Sequence, residues 1–185
     1  MEPAGLLLID IQNDYFPNGK MELKGSEKAG RVAGQLLAFF RKHVHPVIHI
    51  QHVSVRKDAT FFLPGTAGVE IHPDIKPTGN EVIIQKHFPN SFRETDLLLH
   101  LQRKDIRVLV IAGMMTHMCV DATVRAAADY GYPCLIAADA CATRGLSYDQ
   151  RVVDADDVHV AFLAALNGTY GNVMKAGDII KELQG

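Results

Sequence analysis

Long apolar runs and runs of like charge are both absent from this sequence. No segment approaches the roughly 18 apolar residues of a membrane span, and no basic amphipathic stretch suggests a membrane surface. The N-terminus has neither the positive charge nor the long apolar stretch of a secretory signal. The formal net charge is -2 over 185 residues, without the basic patch typical of nucleic-acid binding. We therefore predict a cytoplasmic protein with no membrane or nucleic-acid partner.

Cysteine is scarce, and the glycine-rich G-x-G-x-x-G motif is missing. The three cysteines, Cys119, Cys134 and Cys141, are an odd number in a chain without an export signal, so they indicate reduced thiols rather than a disulfide framework. No G-x-G-x-x-G turn follows the first apolar run, where the chain reads Ile11-Gln12-Asn13-Asp14 after Asp10. This absence argues against a nucleotide-binding Rossmann domain.

Short apolar runs alternate with helical patterns along the chain. Continuous apolar runs are typical of strands buried on both faces of a parallel sheet, and the alternation predicts right-handed crossovers that cover the sheet. The length suits a single α/β domain over residues 1–185. The predicted strands are 6–9, 47–50, 82–84, 108–112, 134–138 and 172–174, and the predicted helices are 27–42, 95–104, 118–130, 150–166 and 177–183.

An acid, a base and a thiol follow three of the predicted strands. Asp10 follows the first, Lys86 the third, and Cys119 comes shortly after the fourth. Ligands of open parallel sheets bind beyond the carboxyl ends of the strands, so we expect these side chains at the functional edge. The irregular stretch 53–80 is also long enough to be more often functional than idle.

Cys119 has two interpretations. It lies near the start of the predicted helix 118–130, where unpaired N–H groups and the helix dipole favour a thiolate and lower the pKa of a thiol. The alternative is a small buried hydrophobic residue, which most free cysteines are. Cys134 and Cys141 fit that alternative well.

The sequence also allows two interpretations for each predicted partner of Cys119. Asp10 could accept the thiol proton, or it could cap a strand end. Lys86 could hold Asp10 and stabilise a thiolate, or it could be a solvated strand-end lysine. Gly113 permits an unusual backbone, and N–H groups of the turn after it could form an oxyanion hole, or this turn could be an ordinary loop.

Three histidines, His49, His52 and His72, raise the question of a metal site. The spacing of His49 and His52 places them on opposite faces of a strand, and no Asp or Glu lies between or beside these two. We therefore interpret the histidines as structural or surface residues, and we predict no metal and no cofactor.

Short segments along nearly the whole chain form an ordered pattern, of which the block around Cys119 is the most specific. They are LLIDIQNDYF at 7–16, GTAG at 65–68, IHP at 71–73, VIIQK at 82–86, Ser91-Phe92, GMMTHMC at 113–119 running on through Val120, Thr123 and Arg125, then Gly131-Tyr132 and Asp139-Ala140. Together they resemble the isochorismatase-like cysteine hydrolases, a family that includes nicotinamidase and N-carbamoylsarcosine amidase.

The resemblance implies a fold and a catalytic apparatus. The implied fold is a three-layer α/β/α sandwich with a six-stranded parallel sheet. The implied triad is Asp10, Lys86 and Cys119. The resemblance also implies a cis peptide between Met114 and Met115, with the N–H groups of Met115 and Cys119 as oxyanion donors.

The same resemblance gives weaker expectations about substrate and assembly. Gln12, Phe16 and His117 are expected to contact a small-molecule substrate. Phe61 and Phe62 could shape its pocket, with core packing as the alternative. The family leads us to expect a homo-oligomer, either a dimer or a tetramer.

Two departures from the family pattern bear on the reaction. The family's nicotinamidases carry an Asp and histidines that hold a metal after the second strand, whereas residues 51–54 here read QHVS. This argues against a bound metal and against nicotinamide as substrate. The namesake isochorismatases lack the cysteine, so Cys119 favours amide-type hydrolysis.

We therefore predict a hydrolase that cleaves a C–N bond through a thioester. Vinyl-ether hydrolysis and a non-catalytic α/β binding module remain alternatives. One geometric difficulty remains. If the strand order is 3-2-1-4-5-6, Lys86 lies two strands, or roughly 10 Å, from Asp10.

Overall fold

The central sheet has six strands, all parallel. The fold is described from a computed structural model, which covers residues 2–79 and 81–185. The described residues contain eight strands in all, of which six form this sheet. They are β1 (Ala4–Ile9), β2 (Val47–His52), β3 (Val82–Lys86), β4 (Val108–Met114), β5 (Cys134–Ala142), β6 (Leu146–Tyr148), β7 (Arg151–Val153) and β8 (Asn172–Met174). The sheet order is β3-β2-β1-β4-β5-β8, while β6 and β7 form a separate hairpin. The predicted six-stranded parallel sheet and its order are confirmed.

Helices cover both faces of this sheet. They are α1 (Ser26–Lys42), α2 (Leu97–Arg103), α3 (Asp121–Asp129), α4 (Ala155–Leu166) and α5 (Ala176–Gln184). Helices α1 and α5 pack on one face, and α2, α3 and α4 pack on the other. The result is the three-layer sandwich expected of this alternation.

The position of β1 between two hydrophobic clusters explains why its sequence is continuously apolar. Leu6 and Leu8 join the hydrophobic cluster under α1, whereas Leu7 and Ile9 join the cluster on the opposite face. All four are fully buried. Because successive side chains of a strand point to opposite faces, a strand between two cores needs apolar residues throughout. Each buried side chain contributes about 1.5–3 kcal/mol to stability.

The predicted helix 150–166 is wrong in its first turn. Arg151–Val153 is strand β7, which pairs antiparallel with β6, and α4 begins only at Ala155. The Asp154 side chain accepts hydrogen bonds from the N–H groups of Asp156 and Asp157 and so caps the helix. Asp154 therefore marks the helix start.

The predicted helix 118–130 also begins differently. Thr116–Val120 forms a single π-helical turn, hereafter called the nucleophile turn after the role predicted for Cys119, and α3 starts at Asp121. Cys119 therefore lies within a wider turn that precedes the α-helix. Such turns are rare and are often found at functional sites.

The long segment at 53–79 is folded against the chain that follows β1. It contains two short 3₁₀ turns, Ala67–Val69 and Pro73–Ile75. The His72 N–H donates to the Ile11 carbonyl at 2.9 Å. Asn80, at the end of the predicted loop, lies outside the described residues. Within the described ranges, no helix is both long and apolar enough to cross a membrane.

Gly113, near the end of β4, leaves no room for a side chain. Its φ is 154°, and an added Cβ would lie 2.3 Å from the Ile9 carbonyl oxygen. We expect Gly113→Ala to lower the free energy of unfolding by about 1–3 kcal/mol or more, since overpacking and backbone strain both contribute. Urea denaturation measures this change.

Gly177 provides the control for that substitution. It lies in α5, and an added Cβ would meet nothing within 4 Å. Gly177→Ala should therefore be neutral or stabilise the protein by up to about 1 kcal/mol. Equal stability of Gly113→Ala and wild type would contradict the close approach of β4 to β1.

Candidate active site

Asp10 and Lys86 form a buried ion pair at the carboxyl edge of the sheet. Lys86 Nζ lies 2.7 Å from Asp10 Oδ2, and both side chains are fully buried. Asp10 has a φ of 51°, so the chain turns sharply as it leaves β1. The two side chains together span the intervening strand β2. This removes the difficulty of the roughly 10 Å that separates alternate strands.

Carbonyl groups hold the Lys86 ammonium from the other side. Its Nζ donates to the Phe88 carbonyl at 3.0 Å and to the Pro89 carbonyl at 3.1 Å. Burial lowers the pKa of Lys86, but the charges of Asp10 and Cys119 outweigh this effect and raise it above its ordinary value. Lys86 is therefore a buried cation. In the described part of the chain, Asp10 Oδ1 receives no hydrogen bond and is free to accept a proton.

Cys119 meets this pair from the nucleophile turn. Its side chain is buried, and a ligand-capable atom of Asp10, of His52 and of Cys119 all lie within 4.8 Å of one another. Burial raises the pKa of the Cys119 thiol strongly, and the Asp10 carboxylate raises it further, while Lys86 acts in the opposite direction. The expected lowering of this pKa by a helix N-terminus is therefore wrong for the resting site. The group is a thiol whose proton faces a carboxylate.

The other two cysteines differ from Cys119 in their neighbours. Burial raises the pKa of Cys134 to about 12, and that of Cys141 also to about 12. Asp139 also raises the pKa of Cys141, but among the described residues no lysine acts on the pKa of either thiol. Their environment fits the packing role that the sequence suggested.

The backbone before Cys119 has an unusual geometry. The peptide between Met114 and Met115 is cis. The Met115 carbonyl accepts hydrogen bonds from the N–H groups of Met118 at 3.0 Å and Val120 at 3.2 Å, which closes the nucleophile turn. The N–H groups predicted as oxyanion donors, those of Met115 and Cys119, belong to this segment.

His52 is the neighbour of the triad that sequence reasoning did not assign to it. Its Nδ1 lies 3.4 Å from Lys86 Nζ. Burial lowers the pKa of His52 to about 4, with the nearby Lys86 and His87 adding to the effect and Asp10 opposing it. The ring is therefore neutral near pH 7. The signal that could have found it is its position at the end of β2, between the strands that carry Asp10 and Lys86.

The three histidines considered for a metal do not converge. His49 is buried and bonds Glu81 at 3.0 Å, and His72 Nδ1 accepts the Asp74 N–H. In the described residues, only His52 of the three belongs to a group with metal-ligand spacing, together with Asp10 and Cys119. The Lys86 ammonium lies beside that group, so its positive charge competes with a metal cation.

The residues expected to contact substrate have partners inside the protein. Gln12 is fully buried; its Oε1 accepts the His52 N–H at 2.7 Å, and its Nε2 donates to the His52 and Val69 carbonyls. The Phe16 ring is buried and stacks on His72 at 3.5 Å. Gln12 thus anchors the end of β2, and Phe16 packs beneath the long loop. Their contact with substrate stays a prediction.

His117 is likewise engaged within the protein. Its Nδ1 lies 2.5 Å from Thr143 Oγ1, and its ring edge packs against Phe162. Its Nε2 is buried and has no hydrogen-bond partner among the described residues. The ring connects the nucleophile turn to the end of β5, and its expected contact with substrate stays a prediction.

Aromatic side chains lie beside the predicted triad. Phe62 is buried, with its ring 4.6 Å from Tyr15, 4.9 Å from Phe61 and 5.9 Å from His52. The Phe62 N–H donates to Asp14 Oδ2 at 2.7 Å, which holds the backbone that carries the ring. Burial raises the pKa of Tyr15, as do the charges of Cys119 and Asp10. Tyr15, which the sequence did not single out, therefore shares the electrostatic environment of the triad.

Comparison with known proteins identifies the family and the fold of this chain. Residues 4–176 match the model of the isochorismatase domain. The uncharacterized isochorismatase family protein YddQ of Bacillus subtilis (strain 168) is 51% identical over 178 residues, covering 96% of this chain and 99% of that protein. A crystal structure from Oleispira antarctica, assigned as an isochorismatase hydrolase, has a TM-score of 0.94 at 46% identity and covers 97% of each chain.

More distant relatives carry the names of amidohydrolases. Maleamate amidohydrolase of Pseudomonas putida is 24% identical over 200 residues, covering 99% of this chain and 87% of that protein. Nicotinamidase 3 of Arabidopsis thaliana is 26% identical over 165 residues, covering 86% of this chain and 81% of that protein. The family thus includes hydrolases that act on carbon–nitrogen bonds. With a matching domain model, a close relative and the same fold, this chain belongs to the isochorismatase family of hydrolases.

Proposed function

We propose that this protein is a cysteine-dependent hydrolase that cleaves an amide-type carbon–nitrogen bond of a small molecule through a thioester. The observation that carries the proposal is the buried Asp10–Lys86 pair beside the Cys119 thiol. A buried ion pair gives little net stability compared with apolar packing. Its position beside a thiol at the ligand-binding edge of the sheet instead fits acid–base work on that thiol.

In the proposed acylation step, Asp10 accepts the Cys119 proton as the sulfur attacks the substrate carbonyl carbon. The Lys86 ammonium stabilises the developing thiolate. The carbonyl oxygen becomes an oxyanion, which the N–H groups of Met115 and Cys119 stabilise. The intermediate collapses when protonated Asp10 donates its proton to the leaving nitrogen. An amine or ammonia departs, and a thioester remains on Cys119.

In the proposed deacylation step, Asp10 is again a carboxylate and acts as the base. It removes a proton from water as the water oxygen attacks the thioester carbonyl. The same N–H groups stabilise the second oxyanion. Loss of the thiolate releases the carboxylic acid, and the proton held by Asp10 returns to Cys119. No redox partner is needed, because every step is a proton or acyl transfer.

Trapping of the acyl-enzyme tests the proposal. The purified protein is mixed with small primary amides and N-carbamoyl compounds, including maleamate, then quenched in acid within the first turnover. Mass spectrometry should find the acyl group on the peptide that contains Cys119, and hydroxylamine should release it as a hydroxamate. Ammonia release, measured separately, should match the amount of acid formed.

The matched control is Cys134→Ala, which removes a buried thiol distant in sequence from the triad. This variant should acylate like the wild type. Amide turnover with no adduct on Cys119 would contradict the thioester. Turnover of isochorismate but of no amide would instead favour vinyl-ether hydrolysis on the same scaffold.

A further inference from the structure

A hydrogen bond between Thr116 and His159 connects the nucleophile turn to helix α4. Thr116, the first residue of that turn, is fully buried, and its Oγ1 lies 2.9 Å from His159 Nδ1 on helix α4. The two residues are far apart in sequence, so this contact joins an outer helix to the turn that carries Cys119. Neither residue belongs to the triad.

The protonation state of His159 follows from its surroundings. Burial lowers the pKa of His159, which favours a neutral ring, while a hydrogen bond to the Ala138 carbonyl and the charge of Asp156 oppose this shift. A neutral imidazole has one N–H and one lone pair. The Ala138 carbonyl can only accept, so a ring that turns its N–H toward this carbonyl leaves Nδ1 as the acceptor for the Thr116 hydroxyl. His159 thus links α4, β5 and the nucleophile turn.

The turn needs such support because its backbone ladder is short. The Thr116 carbonyl accepts the Asp121 N–H, and the Met115 carbonyl accepts the N–H groups of Met118 and Val120. One π-helical turn gives few backbone hydrogen bonds, so side-chain contacts at its first residue decide its rotation. That rotation sets the position of Cys119 relative to Asp10.

We infer that Thr116 and His159 are a positioning pair that sets the attack geometry of Cys119, an inference that rests on the proposed cysteine mechanism. Neither side chain touches the substrate. The pair acts on the rate of acylation rather than on substrate binding. A displacement of about 1 Å at a reacting atom can lower a rate about 100-fold.

The test is a double-mutant cycle with a conservative rescue. Thr116→Val keeps the shape of the side chain and removes the hydroxyl, while His159→Phe removes the acceptor. Each should lower kcat about 10- to 100-fold with KM changed less than about threefold. The double variant should lose no more than the more impaired single variant, because both substitutions break the Thr116–His159 contact. Thr116→Ser should keep wild-type kcat.

Two further readouts separate positioning from general stability. The rate of Cys119 alkylation by iodoacetamide, relative to that of Cys134, should change in Thr116→Val and remain unchanged in Thr116→Ser. Val160→Ala, at an exposed position on the same helix, should leave kcat and alkylation unchanged. If Thr116→Val fails to fold, His159→Gln, which keeps an acceptor, should retain kcat where His159→Phe loses it.

Several outcomes would overturn the inference. Wild-type kcat in Thr116→Val, additive losses in the double variant, or a lower melting temperature with an unchanged kcat would each do so. Failure of the proposed function would look different. Wild-type protein would then form no adduct on Cys119 with any amide, while the alkylation rates would still report whether the pair positions the thiol.

Discussion

Cys119→Ala is expected to lower kcat for amide hydrolysis by at least about 10⁴-fold, because knocking out a nucleophile in a comparable triad costs that much or more. The fold should survive, since removing one buried sulfur leaves only a small cavity. Steady-state ammonia release with the substrate found by acyl-enzyme trapping measures the loss. Circular dichroism and thermal denaturation check that the variant is folded.

Cys134→Ala removes a thiol that is buried to the same 2% exposure as Cys119, so it controls for loss of a buried sulfur. It should keep wild-type kcat. Substantial amide turnover in Cys119→Ala would remove Cys119 from the mechanism. Retained activity toward isochorismate alone would move the assignment to vinyl-ether chemistry, which needs no thiol.

Asp10→Asn and Lys86→Met should both lose activity while shifting the thiol pKa in opposite directions. The Asp10 charge raises the pKa of Cys119 and the Lys86 charge lowers it. Asp10→Asn should therefore form a thiolate at lower pH than the wild type, and Lys86→Met at higher pH. Both variants should lower kcat by about 10²- to 10⁴-fold. Asp10→Asn removes the group that transfers the proton, and Lys86→Met removes the ammonium that pairs with Asp10.

The measurement is the rate of iodoacetamide labelling at Cys119 from pH 6 to 10, with each label located by mass spectrometry. Cys134 and Cys141 serve as internal references in every sample. Faster labelling of an inactive Asp10→Asn variant would show that thiol reactivity alone does not give turnover. Identical labelling profiles in all three proteins would contradict the coupling of Cys119 to either partner.

Stability adds a second readout for this pair. Removing one member leaves the other as an unpaired buried charge, which costs about 3–5 kcal/mol. The double variant Asp10→Asn, Lys86→Met should be more stable than the less stable single variant, because it leaves no unpaired charge. It should remain inactive. Urea denaturation of the three variants provides the comparison.

The sequence predicted the sheet well because each strand carries its own local signal. Leu6 to Ile9 is apolar throughout, as a strand between two cores requires. The positions of Asp10, Lys86 and Cys119 after three such strands placed them at one edge, and the chain does bring them together. What the sequence could not give was the reach of Lys86, which depends on the sharp turn at Asp10.

The errors have a common physical origin in contacts between distant parts of the chain. Val152 and Val153 were assigned to a helix, but pairing with β6 makes them a strand. The substrate contacts expected of Gln12, Phe16 and His117 stay predictions, although each side chain has a partner that is distant in sequence and that no local pattern revealed. His52 and His159 were missed for the same reason. Their roles come from neighbours that only the folded chain supplies.

The closed environment of Asp10, Lys86 and Cys119 also constrains how charge moves in the proposed reaction. At rest the ammonium balances the carboxylate. After proton transfer, the same ammonium balances a thiolate, and the acid is neutral. The interior therefore carries the same net charge before and after the nucleophile forms, and no counter-ion has to enter from water. A reaction with this internal balance is insulated from the ionic strength of its surroundings, since salt screens buried pairs far less than exposed ones.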